Sequence, residues 1–144
     1  MVAALWAETK DEQVGDVAIK VKHIGTTEDP MLFEKMERRW ISFNAKLARR
    51  VRAELAKEYG SLEDARAALY ENEPDRTVAD AVSYHAYMSE EYITAFSERV
   101  RDLVVHGCVD GSSVYVELMN RGGPDHIKKA AALVMEYNAP SPKT

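Results

Sequence analysis

The sequence predicts an α+β fold, mainly α, with an N-terminal β-hairpin followed by two long helices and shorter helices. Three patterns support this prediction: alternating β-branched residues near the N-terminus, and two apolar stripes at helical spacing, one after Pro30 and one after Thr77. With 144 residues and no recognisable linker, the chain has the length of one domain. We expect a single domain over 1–144, with a loose tail at 138–144 that contains two prolines.

The hairpin is predicted from the segment that precedes His23. Val17, Ile19 and Val21 alternate with shorter or charged residues, which is the period of a strand with one buried face. Turn residues flank this segment on both sides. We expect Val2–Thr9 to be its partner strand, connected through Lys10–Gly15, although Val2–Thr9 also has the composition of a helix start.

The first long helix is predicted to begin after Asp29, whose carboxylate suits the N-cap position, with Pro30 at the first helical position. No glycine or proline follows until Gly60, which gives about 28 residues and about 42 Å at 1.5 Å per residue. Apolar residues recur every three or four positions: Phe33, Met36, Trp40, Phe43, Leu47, Val51 and Leu55.

Further helices are predicted from capping residues and spacing. Ser61 begins a short helix, and a long one is expected from about Val78 to His106, with an alternative break near Met88 because Ser89 is a suitable cap. The segment Val114–Leu118 has two interpretations, a strand or a helix. Asp125 is expected to cap the last helix.

Composition excludes several classes of protein. Hydrophobic residues are 46% and charged residues 30% of the chain, which is typical of a globular protein. Cys108 is the single cysteine, so a disulfide scaffold is excluded. The longest apolar runs are far shorter than the roughly 18 residues of a membrane span, and the N-terminus lacks a basic start. We expect a cytoplasmic protein.

The sequence predicts no catalytic residue, no metal site and no cofactor. The four histidines are His23, His85, His106 and His126, and none has the spacing that places two imidazoles on one helical face. Cys108 with a distant histidine is the one nucleophilic pair to consider, and any chain with these residues offers it. We expect a protein without enzymatic activity.

Charge is distributed unevenly around a net value of −5. A basic segment, 34–57, is followed by an acidic segment, 58–102. The basic segment has two interpretations: it pairs with acidic residues inside the fold or between subunits, which we favour, or it binds nucleic acid. Its charged patch consists of Arg38, Arg39, Lys46, Arg49, Arg50 and Arg52.

Four aromatic residues at helical spacing are candidates for partner binding: Trp40, Phe43, Tyr92 and Phe96. Such residues are usually core. In a small domain, however, a long helix often has more apolar surface than one chain covers, and a partner helix or a second copy then completes it. We expect a protein partner or a homo-oligomer.

Two stretches give the sequence a family resemblance. One is Val17-Ala-Ile-Lys-Val-Lys-His-Ile-Gly25 before the long helix, and the other is Val104-Val-His-Gly-Cys-Val-Asp-Gly111 before the C-terminal helices. In these stretches and in the order of elements, the chain resembles the tail assembly chaperones of long-tailed bacteriophages. It departs from the family at His106-Gly-Cys108, where relatives often have a tryptophan nearby, and in its strongly basic helix.

The resemblance implies a non-enzymatic phage protein that assists virion tail assembly by binding the helical tape-measure protein, tail-tube subunits, or both. A protein of this kind is expected in the cytoplasm of the host cell, with neither a membrane nor nucleic acid as its partner. Two alternatives remain open. One is a small phage-encoded inhibitor of a host defence or nucleic-acid enzyme, and the other is a nucleic-acid binder that uses the basic helix at 34–57.

Overall fold

The computed structural model describes residues 8–139 and confirms the predicted fold class, a mainly helical chain with an N-terminal hairpin. In this part of the chain the elements are β1 Thr9–Val14, β2 Val17–Lys22, α1 Leu32–Tyr59, α2 Leu62–Leu69, α3 Val78–Tyr87, α4 Glu90–Gly107, α5 Gly111–Gly122 and α6 Pro124–Asn138. Within the described range, none of these helices is both long and apolar enough to cross a membrane.

The chain packs as two compact units. The hairpin unit combines Met1–Glu37 with Ser97–Thr144, and the inserted unit is the continuous segment Arg38–Phe96. Helix α1 begins in the hairpin unit and continues into the inserted unit. Helix α4 begins in the inserted unit and ends in the hairpin unit.

The sheet of the hairpin unit is two-stranded and antiparallel, with Val14 opposite Val17 and Thr9 opposite Lys22. Gly15 has a φ of 59°, which suits the two-residue turn between the strands. The partner strand of β2 is therefore Thr9–Val14 and not Val2–Thr9; residues 2–7 of the expected strand lie outside the described residues. β1 pairs despite its polar sequence because five of its six side chains are not buried.

The predicted alternation of β2 is confirmed, since Val17, Ile19 and Val21 are buried and the residues between them are exposed. This buried face packs against α5 and α6. The core of the hairpin unit also contains these buried residues: Val14, Ile24, Leu103, Val104, Cys108, Leu118, Ile127, Ala130, Ala131 and Val134.

The inserted unit has its own core where α1, α2 and α3 meet. Its buried residues are Leu47, Val51, Leu55, Ala65, Val82 and Ala86. Helices α2 and α3 each begin with an N-cap hydroxyl that accepts from a backbone N–H group. The Ser61 hydroxyl accepts from Asp64 N at 3.0 Å, and the Thr77 hydroxyl accepts from Asp80 N at 3.1 Å. The predicted length of α1, about 28 residues, is confirmed, but the predicted start is wrong, because the helix begins at Leu32 and Pro30 lies in the turn before it.

The expected helix from Val78 to His106 is divided into α3 and α4, at the position of the alternative break. Ser89 accounts for the division, because its hydroxyl accepts from Tyr92 N at 3.2 Å and donates to the carbonyl of Ala86 at 2.6 Å. These bonds end one helix and begin the next.

The C-terminal elements decide two further expectations. Val114–Leu118 is helical, as part of α5. The expectation that Asp125 caps the last helix is wrong: Gly123 occupies the N-cap position and Pro124 begins α6, because proline at N1 needs no hydrogen-bond acceptor. Asn138, where the expected tail begins, is the last residue of α6, and residues 140–144 lie outside the described residues.

Candidate protein-binding surface

The four aromatic candidates are in mutual contact inside the inserted unit. The Trp40 ring lies 5.8 Å from Phe43, 5.6 Å from Tyr92 and 6.2 Å from Phe96, measured between ring centroids. Tyr92 and Phe96 are stacked at 5.9 Å. All four side chains are half-buried. The cluster therefore joins α1 to α4, and its rings are only partly exposed to a partner.

Larger apolar exposure lies at the α3–α4 junction. Tyr84, Tyr87, Met88 and Ile93 are each more than half exposed, at 57%, 55%, 63% and 54%. The Tyr87 ring contacts Tyr92 at 4.9 Å between centroids, so the exposed residues adjoin the aromatic cluster. We call Tyr87, Met88 and Ile93 the junction patch.

The sequence pattern did not single out the junction patch. Helical spacing placed Tyr84 and Met88 on the same apolar face as Tyr92. The division at Ser89 interrupts that face, and Met88 is left in the connection with its side chain in solvent. The one available signal was Ser89 itself, whose capping tendency marks the position where the face changes direction.

A cleft of about 680 Å³ lies between α2 and α3. Three tyrosines line it, Tyr70, Tyr84 and Tyr87, together with the carboxylates of Glu73 and Asp80. One cation is already present, since the Arg76 guanidinium lies 5.7 Å from the centre of the Tyr70 ring and 3.6 Å from a Glu73 oxygen. Carboxylates beside aromatic rings are favourable surroundings for a cationic side chain.

Asp80 is held in its charged form. Its carboxylate accepts from the backbone N–H of Thr77 at 2.8 Å, and this hydrogen bond lowers the pKa of Asp80 below its ordinary value. The cleft therefore keeps a negative charge at neutral pH. Because the same hydrogen bond belongs to the capping box of α3, the position of this charge is fixed by the helix start.

The charged patch is an exposed face of α1. Arg38, Arg39, Lys46, Arg49, Arg50 and Arg52 are all exposed, and the stretch 38–53 contains no aspartate or glutamate. Arg50 bonds Glu91 and lies 3.3 Å from Glu54. Within residues 8–139, no ion pair involves Arg39, Lys46, Arg49 or Arg52, which we call the free basic face. Internal pairing therefore leaves these four cations unused.

The two stretches that carry the family resemblance meet in the hairpin unit. The backbone N–H of Val109 donates to the carbonyl of Lys20 at 2.9 Å, and Val21 forms an isolated β-bridge with Cys108. Gly111 starts α5, where a Cβ would overlap the backbone carbonyl of Val105. The short motifs therefore form one structural junction, in which the turn before α5 extends the edge of β2.

Cys108 has the environment of a core residue. It is 1% exposed, and burial raises the pKa of its thiol to about 11. The thiol therefore stays protonated at neutral pH, unlike an activated nucleophile. Across residues 8–139, histidine, cysteine, aspartate and glutamate form no group of three suited to a metal ion.

Neither the models of protein families, nor the curated proteins, nor the solved structures contain a match to this chain.

Proposed function

We propose that the protein is a non-enzymatic bacteriophage tail assembly factor that binds a helical segment of the tape-measure protein on the junction patch. The observation that carries this proposal is the exposure of Tyr87, Met88 and Ile93 next to the aromatic cluster. An assembly factor of this kind covers the apolar stripe of a long helical protein until the tail is built around it.

The side chains of the junction patch suit this partner. Methionine is flexible and adapts to irregular apolar surfaces. Tyrosine has a ring for apolar contact and a hydroxyl that hydrogen-bonds to water at the solvated edge of an interface. Exposed apolar side chains grouped in this way are typical of protein-binding surfaces. The half-buried cluster of Trp40, Phe43, Tyr92 and Phe96 lies behind the patch and supports its position.

The choice of family within this functional class depends on the resemblance of two stretches of the hairpin unit. Both stretches lie at one place, where Val109 bonds Lys20 and Cys108 pairs with Val21. They therefore have one structural role, as the junction between β2 and the start of α5.

The test is co-expression with the tape-measure protein from the same genome, with the soluble fraction measured after lysis. We expect the tape-measure protein to be soluble and to co-purify with the wild type. Met88→Ser together with Ile93→Ser removes the apolar surface without opening the core, because both side chains are exposed. We expect the double variant to lose about nine-tenths of the co-purified protein, since central apolar contacts dominate binding.

The matched control is Val116→Ser, which changes a 56% exposed apolar residue of α5 in the hairpin unit. We expect this variant to behave as the wild type. An insoluble tape-measure protein in the presence of the wild type contradicts the proposal. Equal co-purification with the wild type and the double variant contradicts the assignment of the patch.

A further inference from the structure

The inserted unit carries two surfaces of opposite charge that do not satisfy each other. The free basic face of α1 has four exposed cations, Arg39, Lys46, Arg49 and Arg52. The cleft between α2 and α3 has the carboxylates of Glu73 and Asp80 on its wall, and exposed Glu71 and Asp75 in the connection that borders it. Tyr87 belongs both to this cleft and to the junction patch. The cations of α1 and the carboxylates of the cleft are not explained by the binding of an apolar helical stripe.

The free basic face has the geometry of a docking surface. Positions 39 to 52 of α1 extend over about 20 Å at 1.5 Å per residue. Small side chains, Ser42, Ala45 and Ala53, lie among the cations and are exposed. They permit close approach of another surface, and the cations around them select one that is acidic.

The cleft already shows how it holds a cation. The guanidinium of Arg76 lies over the Tyr70 ring and beside Glu73. Tyr84 and Tyr87 offer two more exposed rings on the opposite wall, next to Asp80. Arginine combines ring stacking with bidentate hydrogen bonds to carboxylates, so two further arginine side chains suit this wall.

We propose that the free basic face of one copy docks into the tyrosine-carboxylate cleft of a second copy, so that the chain associates head to tail. The occupant is a second copy because this chain supplies both complementary surfaces, while within a single copy the four cations make no ion pair among residues 8–139. The chain's net charge of −5 disfavours a nucleic acid as the occupant. Because the two surfaces differ, a pair of copies still has one unoccupied basic face and one unoccupied cleft. Further copies bind there, so the assembly grows.

The experiment is sedimentation velocity of the full chain at about 0.05 M and about 1 M salt. At 1 M salt the Debye length is about 3 Å, so the attraction between exposed charges is largely screened. We expect oligomers whose size rises with protein concentration at low salt, and monomers at high salt. The measurement is made at about 0.2 mM protein, where even a weak complex with a Kd of about 0.1 mM is populated. Monomers at both salt concentrations overturn the proposal.

Two variants make the test specific. The face variant is Arg49→Gln with Arg52→Gln, and the cleft variant is Glu71→Gln with Glu73→Gln. Each alone is expected to associate about tenfold or more weakly than the wild type. Mixed in equal amounts, they retain one intact face and one intact cleft, so we expect a 1:1 dimer that does not grow. A mixture that stays monomeric, or that polymerises as the wild type does, overturns the head-to-tail assignment.

The matched control for the face variant is Lys20→Gln with Lys129→Gln, which also removes two positive charges but from exposed residues of the hairpin unit. We expect this control to associate as the wild type does. If it associates as weakly as the face variant, the assignment to α1 is overturned. Circular dichroism confirms that each variant is folded. Fluorescence anisotropy with a labelled 20-base-pair DNA measures the rival occupant. DNA binding that the face variant loses, without self-association of the wild type, also overturns the proposal.

Discussion

Asn138 at the end of α6 bonds Ile24, which follows β2. Its side-chain oxygen accepts from the Ile24 N–H at 2.7 Å, and its amide donates to the carbonyls of Lys22 at 3.1 Å and Val134 at 2.9 Å. One side chain thus connects the last helical turn to the chain that leaves the hairpin. In a half-buried position these three groups have little water to replace a lost partner.

We predict that Asn138→Ala lowers the free energy of unfolding by about 2 kcal/mol, because it leaves partly buried backbone groups without partners. Asn138→Asp keeps the acceptor for Ile24 but places a charged oxygen against the two carbonyls that accepted from the amide. We therefore expect it to destabilise at least as much as Asn138→Ala, because negative charge is also unfavourable at a helix C-terminus. Urea denaturation measures both. Asn120→Ala, at an exposed position of α5, is the control and is expected to change stability little. Equal stability of the Asn138 and Asn120 variants contradicts the prediction.

Gly107 and Val134 are predicted to be coupled. A Cβ at Gly107 would overlap the side chain of Val134, which is fully buried. Gly107→Ala is therefore expected to destabilise by about 1–3 kcal/mol, although alanine favours a helix by up to about 1 kcal/mol. In the double variant Gly107→Ala with Val134→Ala, the new methyl group gains space. Thermal unfolding should then show less destabilisation than the sum of the single variants; additive losses would place the strain elsewhere.

Trp40 and Tyr84 are predicted to contribute unequally to stability. Trp40 is half-buried among three rings, so Trp40→Ala should lower the free energy of unfolding by about 3 kcal/mol. Tyr84 is 57% exposed, so Tyr84→Ala should change it by less than about 0.5 kcal/mol. Chemical denaturation followed by circular dichroism compares them. A neutral Trp40→Ala would show that the cluster is an interface and contributes little to the core.

The pH dependence of stability is predicted to contain a contribution from Cys108. Burial raises the pKa of this thiol from 9.0 to about 11 in the folded state. Below pH 9 the thiol is protonated in both states and contributes no pH dependence. Between pH 9 and 11 the unfolded chain loses the proton while the folded chain keeps it, so folding stability falls as the pH rises.

The expected loss from Cys108 between pH 8 and pH 11 is on the order of 2 kcal/mol. Cys108→Ala removes it, so the difference in stability between wild type and variant should shrink by that amount as the pH rises. Urea denaturation at both pH values provides the measurement, and the comparison cancels the titration of lysines and tyrosines. A constant difference would mean that the thiol ionises equally in both states.

The sequence predicted the helices where spacing and caps agree. The stripe from Phe33 to Leu55 and the glycine at position 60 were sufficient for α1. The sequence did not predict β1 at Thr9–Val14 because this segment is polar on both faces up to Val14 and therefore has no alternation of apolar and polar residues. The N-cap lies at Gly123 and not at Asp125 because Pro124 disfavours helical backbone angles in the residue before it, so the helix begins at the proline itself.

The candidate surfaces were predicted in composition but not in exposure. The six cations of α1 were identified from sequence, while only the structure shows that, among residues 8–139, Arg50 forms an ion pair and Arg49 does not. Tyr70, Glu73 and Tyr84 belong to one cleft because α2 packs against α3. No periodic pattern predicts such a contact, since it depends on how two short helices and their connection are arranged.

The bond between Lys20 and Val109 has a consequence for synthesis of the chain. At roughly 5–20 residues per second, a ribosome needs several seconds to make the stretch between these positions. A two-stranded hairpin is only marginally stable by itself. The apolar side chains of β2 therefore stay exposed until α5 and α6 have been made and pack over them. The inserted unit is continuous and has its own core. It can therefore fold during that delay, while an interrupted translation product would carry an uncovered strand.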